Sequence, residues 1–141
     1  MARIFWDTNL FIYLFEENAE WSHRVVESRG KMLARGDELL TSWLTVGEVL
    51  TKPKQQRNTT LEKSYLNFFL SGAVALIPFD FEAAKLYAEI RSRQRIRPAD
   101  SVQLACAAAA GTDLFVTNDT RLSDLVIPRI TFITGIGRTP Y

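Results

Sequence analysis

Four carboxylates stand where an alternating α/β chain could bring them together: Asp7, Glu48, Asp100 and Asp119. Asp7 directly follows the apolar run Arg3-Ile4-Phe5-Trp6, and Asp119 comes two residues after Leu114-Phe115-Val116-Thr117. If both runs are parallel strands, both acids lie beyond strand carboxyl ends, the edge at which open parallel sheets bind ligands. Asp100 falls near the start of a helix opened by Pro98 and nearly apolar from Val102 to Ala110, where a partly buried acid needs a partner or a cation. Glu48 lies four residues after Leu44, at the margin of an apolar helix face, where desolvating a glutamate is costly unless it is paired or ligated. Each acid also has an ordinary use. Asp7 suits a helix N-cap, Asp119 a turn in Asn118-Asp119-Thr120, Asp100 a helix dipole and Glu48 a salt bridge.

Taken together, acids converging on one edge repel one another, and without cations some would stay protonated. A hard divalent ion, Mg²⁺ or Mn²⁺, resolves the repulsion through carboxylate oxygens while keeping several waters. The chain has one histidine, His23, and one cysteine, Cys106, so an all-oxygen centre is the only rich metal site it can build. A disulfide within the chain and a multi-cysteine zinc site are both excluded. An all-oxygen centre can activate a water and neutralise charge on a phosphodiester.

Strand and helix patterns alternate along the chain, as the positioning of such acids requires. Thr8 and Asn9 are helix-start residues before Leu10–Phe15, and residues 19–35 read as a second helix with apolar points at Trp21, Val25, Val26, Met32 and Leu33. Glu38–Thr41 reads as a strand, residues 43–51 as a helix stopped by Pro53, and Thr60 as the cap of a helix ended by Gly72. Residues 74–79 read as a strand, 81–94 as a helix, 98–110 as a helix ended by Gly111, and 114–117 and 130–133 as the last strands. The pattern predicts an α/β fold, a three-layer sandwich with a mostly parallel central sheet, and 141 residues fit one domain spanning 1–141.

Composition agrees with a soluble globular protein, 47% hydrophobic and 23% charged. No run reaches the length of a membrane span, and Asp7 interrupts the N-terminus too early for a signal peptide, so a cytoplasmic location is expected. The net charge of +1 does not announce a nucleic-acid partner, but its distribution does more. Arg91, Arg93, Arg95 and Arg97 lead into Asp100, and Lys52, Lys54 and Arg57 follow Glu48, so either cluster could contact nucleic-acid phosphates or be a solvated surface. His23, Trp21, Trp43, Phe68, Phe69 and Cys106 read as surface, core or subunit-contact residues.

Four stretches carry a resemblance: Phe5-Trp6-Asp7-Thr8-Asn9, Val46-Gly47-Glu48-Val49, Pro98-Ala99-Asp100-Ser101-Val102-Gln103-Leu104-Ala105 and Val116-Thr117-Asn118-Asp119. In this order and spacing the chain resembles the PIN-domain nucleases, most closely the VapC-type toxins of prokaryotic toxin–antitoxin systems. The resemblance implies a PIN-like α/β/α fold and an Mg²⁺- or Mn²⁺-dependent endoribonuclease. It makes Asp7, Glu48, Asp100 and Asp119 the acidic metal site, with Asn9 and Thr117 holding the carboxylates and a water. It also implies a homodimer, RNA as substrate and a small antitoxin as partner. Asp124, five residues after Asp119, is an extra ligand or a turn residue, and the turn is favoured.

Other chemistries fit less well. A phosphoacceptor domain wants a Lys near the end of the last strand, and Ile130–Gly135 has none. A phosphatase using Asp7 as nucleophile usually wants a second acid two residues on, and position 9 is Asn. A PIN-fold nuclease of RNA processing without an antitoxin, and a catalytically idle RNA- or protein-binding domain, stay open.

Overall fold

The computed structural model describes residues 1–139. Among these, five strands form one sheet: β1 (Arg3–Trp6), β2 (Glu38–Ser42), β3 (Ala75–Ile77), β4 (Leu114–Thr117) and β5 (Phe132–Gly135). The order is β3-β2-β1-β4-β5 and every pairing is parallel, so the sheet is more uniform than the mostly parallel one expected. Six helices complete it: α1 (Thr8–Phe15), α2 (Ser22–Arg35), α3 (Trp43–Gln55), α4 (Thr59–Leu70), α5 (Phe81–Arg93) and α6 (Pro98–Ala109).

Side-chain alternation along the central strands decides the layers. Ile4, Trp6, Leu39, Leu114 and Val116 face a core closed by α1 to α4. Phe5, Leu40 and Phe115 face a second core closed by α5 and α6. Phe5 and Phe115 are register partners and stack with centroids 5.1 Å apart. The chain winds outward from β1 through β2 to β3, then returns to the other side of β1 for β4 and β5. The reversal leaves a crevice beyond the carboxyl ends of β1 and β4, which is where Asp7 and Asp119 emerge.

Several element boundaries differ from the sequence reading, each for a local reason. Pro53 does not stop α3, because it lies in the last turn, where its missing N–H costs one bond and Gln56 N–H still reaches the Lys52 carbonyl. Asn58, not Thr60, caps α4 by accepting the Leu61 N–H at 3.1 Å. The strand expected over 74–79 pairs only over Ala75–Ile77, and Pro78 has no N–H to extend it. On α2, Val25 and Met32 are buried while Val26 and Leu33 are exposed, so its core-facing stripe is narrower than the pattern suggested. Trp43 is exposed, whereas Cys106 is wholly buried in the second core. Gly72 and Gly111 do follow the ends of α4 and α6, each with the positive φ that glycine adopts without strain.

Candidate metal centre and active site

All four acids line one pocket of about 270 Å³ at the crevice between β1 and β4. Asp7 is carried there by β1 and starts α1, and Glu48 comes from the second turn of α3. Asp100 lies in the first turn of α6, which Pro98 opens, and Asp119 follows β4. The pocket divides into an inner and an outer half.

Asp7 is the centre of the inner half and is buried. Its Oδ1 accepts the Thr8 N–H at 2.9 Å, so it is a helix cap as well as a pocket acid. Its Oδ2 accepts the Thr117 hydroxyl at 2.8 Å. Burial pushes the Asp7 carboxyl above the ordinary carboxylate range; the Thr117 and Thr8 bonds oppose that, and the charges of Asp100 and Glu48 add to it. Glu48 Oε1 accepts the Thr8 hydroxyl at 2.6 Å. Glu48 is nonetheless an exposed residue, so the expected desolvation argument for it fails: the helix margin at this point faces the open pocket rather than the core.

Beneath these acids lies a polar knot in an otherwise apolar layer. Gln103 is 2% exposed, and its Nε2 donates to Thr45 Oγ1 at 2.7 Å and Thr8 Oγ1 at 3.1 Å, with Asp7 Oδ1 at 3.5 Å. Its Oε1 accepts from Ser42 Oγ, and Thr41 Oγ1 ties Thr45 Oγ1 to the Trp6 carbonyl. The family resemblance implies that Asn9 and Thr117 hold the carboxylates and a water. Thr117 accepts the Asp119 N–H at 3.0 Å and donates to Asp7. Asn9 lines the pocket but is exposed, and Thr8 and Gln103 do the holding beside it. One signal could have found Gln103: a polar residue three positions after Asp100 in a helix that is apolar beyond it.

The outer half is built differently. Asp100 Oδ2 accepts Arg97 Nε at 3.0 Å, and Arg97 Nη2 stands 3.6 Å from Asp119 Oδ2. Arg121 grips Asp119 with a fork, Nε to Oδ1 at 2.9 Å and Nη2 to Oδ2 at 2.5 Å. The Arg121 hydrogen bonds hold the Asp119 carboxyl below the usual carboxylate range. Nothing in the charge pattern of the sequence had singled out Arg121.

The model of the PIN domain matches residues 4–127. The chain belongs to the PIN-domain family. No curated protein matches its sequence. Its fold is similar to that of VapBC2 from Rickettsia felis bound to a promoter DNA fragment, at 20% identity and TM-score 0.71, covering 94% of this chain and 97% of the other. DNA-bound VapBC from Salmonella typhimurium is similar at 21% identity and TM-score 0.71, covering 96% and 99%. VapC20 from Mycobacterium tuberculosis, a toxin that cleaves the sarcin–ricin loop, is similar at 16% identity and TM-score 0.66, covering 87% and 96%.

The donors of this PIN domain fit a hard divalent cation, being carboxylate and hydroxyl oxygens around a buried Asp7 that its acidic neighbours disfavour as an anion. Among the described residues, however, no three acidic, histidine or cysteine side chains already stand in a ligating arrangement. The outer two acids face guanidiniums instead. Of the basic residues, Arg97 borders the acid pocket and Arg95 lines a small cleft beside it. Arg91 donates to the Ile96 carbonyl, and Arg93 lines an apolar groove with Leu86 and Ile90. Lys52 pairs with Glu16 and Lys54 with Glu62. Asp124 is exposed in the turn after Asp119 and lines a neighbouring cleft. No helix among the described residues is long and apolar enough to cross a membrane.

Proposed function

We propose that this PIN domain is an Mg²⁺- or Mn²⁺-dependent endoribonuclease, the toxin of a toxin–antitoxin pair, with Asp7, Glu48, Asp100 and Asp119 as its metal-binding and catalytic acids. One observation carries the proposal: four carboxylates from four separate elements line one pocket at the sheet crossover of a PIN fold. When bound, the divalent ion supplies a Lewis acid for the phosphodiester and lowers the pKa of water. The chain supplies the rest. Thr117 and the Thr8 N–H fix both oxygens of Asp7, and the Thr8 hydroxyl fixes Glu48. Asp100 or Asp119 orients the attacking water and takes its proton. The water oxygen bonds to phosphorus as the phosphorus–O3′ bond breaks, and O3′ takes a proton from solvent, leaving 5′-phosphate and 3′-hydroxyl ends. Arg97 at the pocket's edge and Arg95 in the cleft beside it hold RNA phosphates, and the other basic residues contribute less.

An antitoxin partner is supported by the folds this chain resembles, several of them solved as toxin–antitoxin complexes. Exposed Val26 and Leu33 on α2 offer apolar surface to such a partner. Homodimerisation, which the resemblance implies, is tested by light scattering of the purified chain.

The deciding experiment is RNA cleavage with and without Mn²⁺, by wild type and Asp7→Asn, with the ends mapped. We expect Mn²⁺-dependent cleavage by the wild type and its loss in the variant. Full activity of Asp7→Asn would refute the role of Asp7. An idle binding domain would show neither cleavage nor the rise in melting temperature that metal binding produces.

A further inference from the structure

Asp119 lies directly after the sheet crossover, yet the group it holds most closely is a side chain of its own turn. Arg121 takes both carboxylate oxygens, and Arg97 spans from Asp119 to Asp100. The two partners differ in exposure. The carboxylates are largely shielded, 15% exposed for Asp119 and 12% for Asp100, whereas the Arg121 and Arg97 side chains are 61% and 62% exposed. The guanidiniums can therefore leave at little cost, while the acids cannot. Asp119 also keeps its aim without the fork, because its Oδ1 accepts the Arg121 backbone N–H at 3.0 Å and its own N–H donates to Thr117.

The same two guanidiniums border a cleft of about 90 Å³ beside the acid pocket, together with Arg95 and Asp100. Three arginines against one acid is a balance that holds only while Asp119 also draws on Arg121 and Arg97. A cation on Asp119 leaves the Arg121 charge unspent next to an open cleft, while Arg97 keeps its pair with Asp100. A planar guanidinium fork matches a phosphate as well as a carboxylate.

We propose that Arg121, aided by Arg97, is an exchangeable counter-ion: it occupies Asp119 until a divalent cation takes that carboxylate, and its freed guanidinium then holds a phosphate of the bound nucleic acid. This rests on the acid pocket being the metal site of a nuclease. Arg121 is thus a positioning residue with two partners, and it couples metal uptake to substrate binding. In the metal-free protein it keeps the outer acids neutralised and the phosphate cleft unfilled.

Two binding measurements on the intact chain test this. Calorimetric titration with Mn²⁺ compares wild type, Arg121→Gln and Arg95→Gln. Fluorescence anisotropy then follows a mixed-sequence single-stranded oligodeoxyribonucleotide with Mn²⁺ present. Arg121→Gln is expected to bind Mn²⁺ about three- to ten-fold more tightly and the oligonucleotide about three- to ten-fold more weakly, the scale of losing one partly solvated guanidinium fork. Arg95→Gln removes the same charge from the same cleft without releasing a carboxylate, and should leave Mn²⁺ affinity within about two-fold on that scale. Equal or weaker Mn²⁺ binding by Arg121→Gln overturns the exchange, and so does an equal gain in Arg95→Gln. Unchanged oligonucleotide affinity in Arg121→Gln overturns the handover to phosphate. If wild type and Arg121→Gln both take up no Mn²⁺, the metal site itself is wrong.

Discussion

The inner and outer halves of the pocket solve the same electrostatic problem by opposite means. Inside, the Thr117 hydroxyl, the Gln103 amide and the Thr8 backbone N–H surround Asp7, and its carboxyl is pushed up, chiefly by burial. Outside, Asp119 is held by a guanidinium fork and its carboxyl is pulled down. The inner half is a fixed frame tied into the core. The outer half is an ion-pair arrangement that solvent and ligands can reach. A buried dipole network is costly to disturb, whereas an exposed ion pair is cheap to exchange.

The contrast predicts a descending series of effects. The largest belongs to Gln103→Ala, which opens a cavity, takes the acceptor from the buried Ser42 hydroxyl and removes a donor from those of Thr45 and Thr8. It should cost about 3–5 kcal/mol in denaturant unfolding. A loss below about 1 kcal/mol would break the picture of a rigid inner frame. Thr117→Val keeps the shape but leaves Asp7 Oδ2 and the Asp119 N–H without their partner, and should cost about 1–3 kcal/mol.

The next effect sharpens the comparison through pH. Asp7 has its carboxyl raised in the folded protein, so its contribution to stability is fully present below the unfolded carboxylate value and is lost as pH rises through the folded one. Asp119 has the opposite sign: its contribution is present above the unfolded value and is lost as pH falls through the lowered folded one. In metal-free buffer at neutral pH, Asp7→Asn should therefore melt a few degrees above wild type, with the gap closing under acidic conditions. Melting below wild type at neutral pH would mean that the inner bonds outweigh burial and repulsion. The smallest effect is that of Arg97→Gln, whose exposed ion pairs should change unfolding stability by less than about 1 kcal/mol.

The acids themselves were legible because strand ends and a proline-opened helix mark positions along the chain, and a parallel sheet gathers such positions on one edge. Asp7, Asp100 and Asp119 are placed by that logic. Glu48 lines the same pocket while exposed rather than desolvated. Its desolvation was inferred from helix periodicity, but periodicity cannot say that the neighbouring surface is an open crevice. The hydrogen-bonding roles of Thr8, Thr45 and Gln103 are not legible for a related reason: hydroxyls and amides are ordinary helix residues until another element brings a partner.

What the sequence by itself determined was alternation. Period-two strands with faces for two cores, amphipathic helices between them, and acids at the punctuation marks follow from the order of residues alone, because backbone geometry fixes which neighbours share a face. What only the tertiary structure decided was pairing across distance. Arg97 reaching from Asp100 to Asp119, and Gln103 tying α6 to α1, α3 and β2, depend on three-dimensional proximity and side-chain direction. Sequence spacing sets these contacts only within an element.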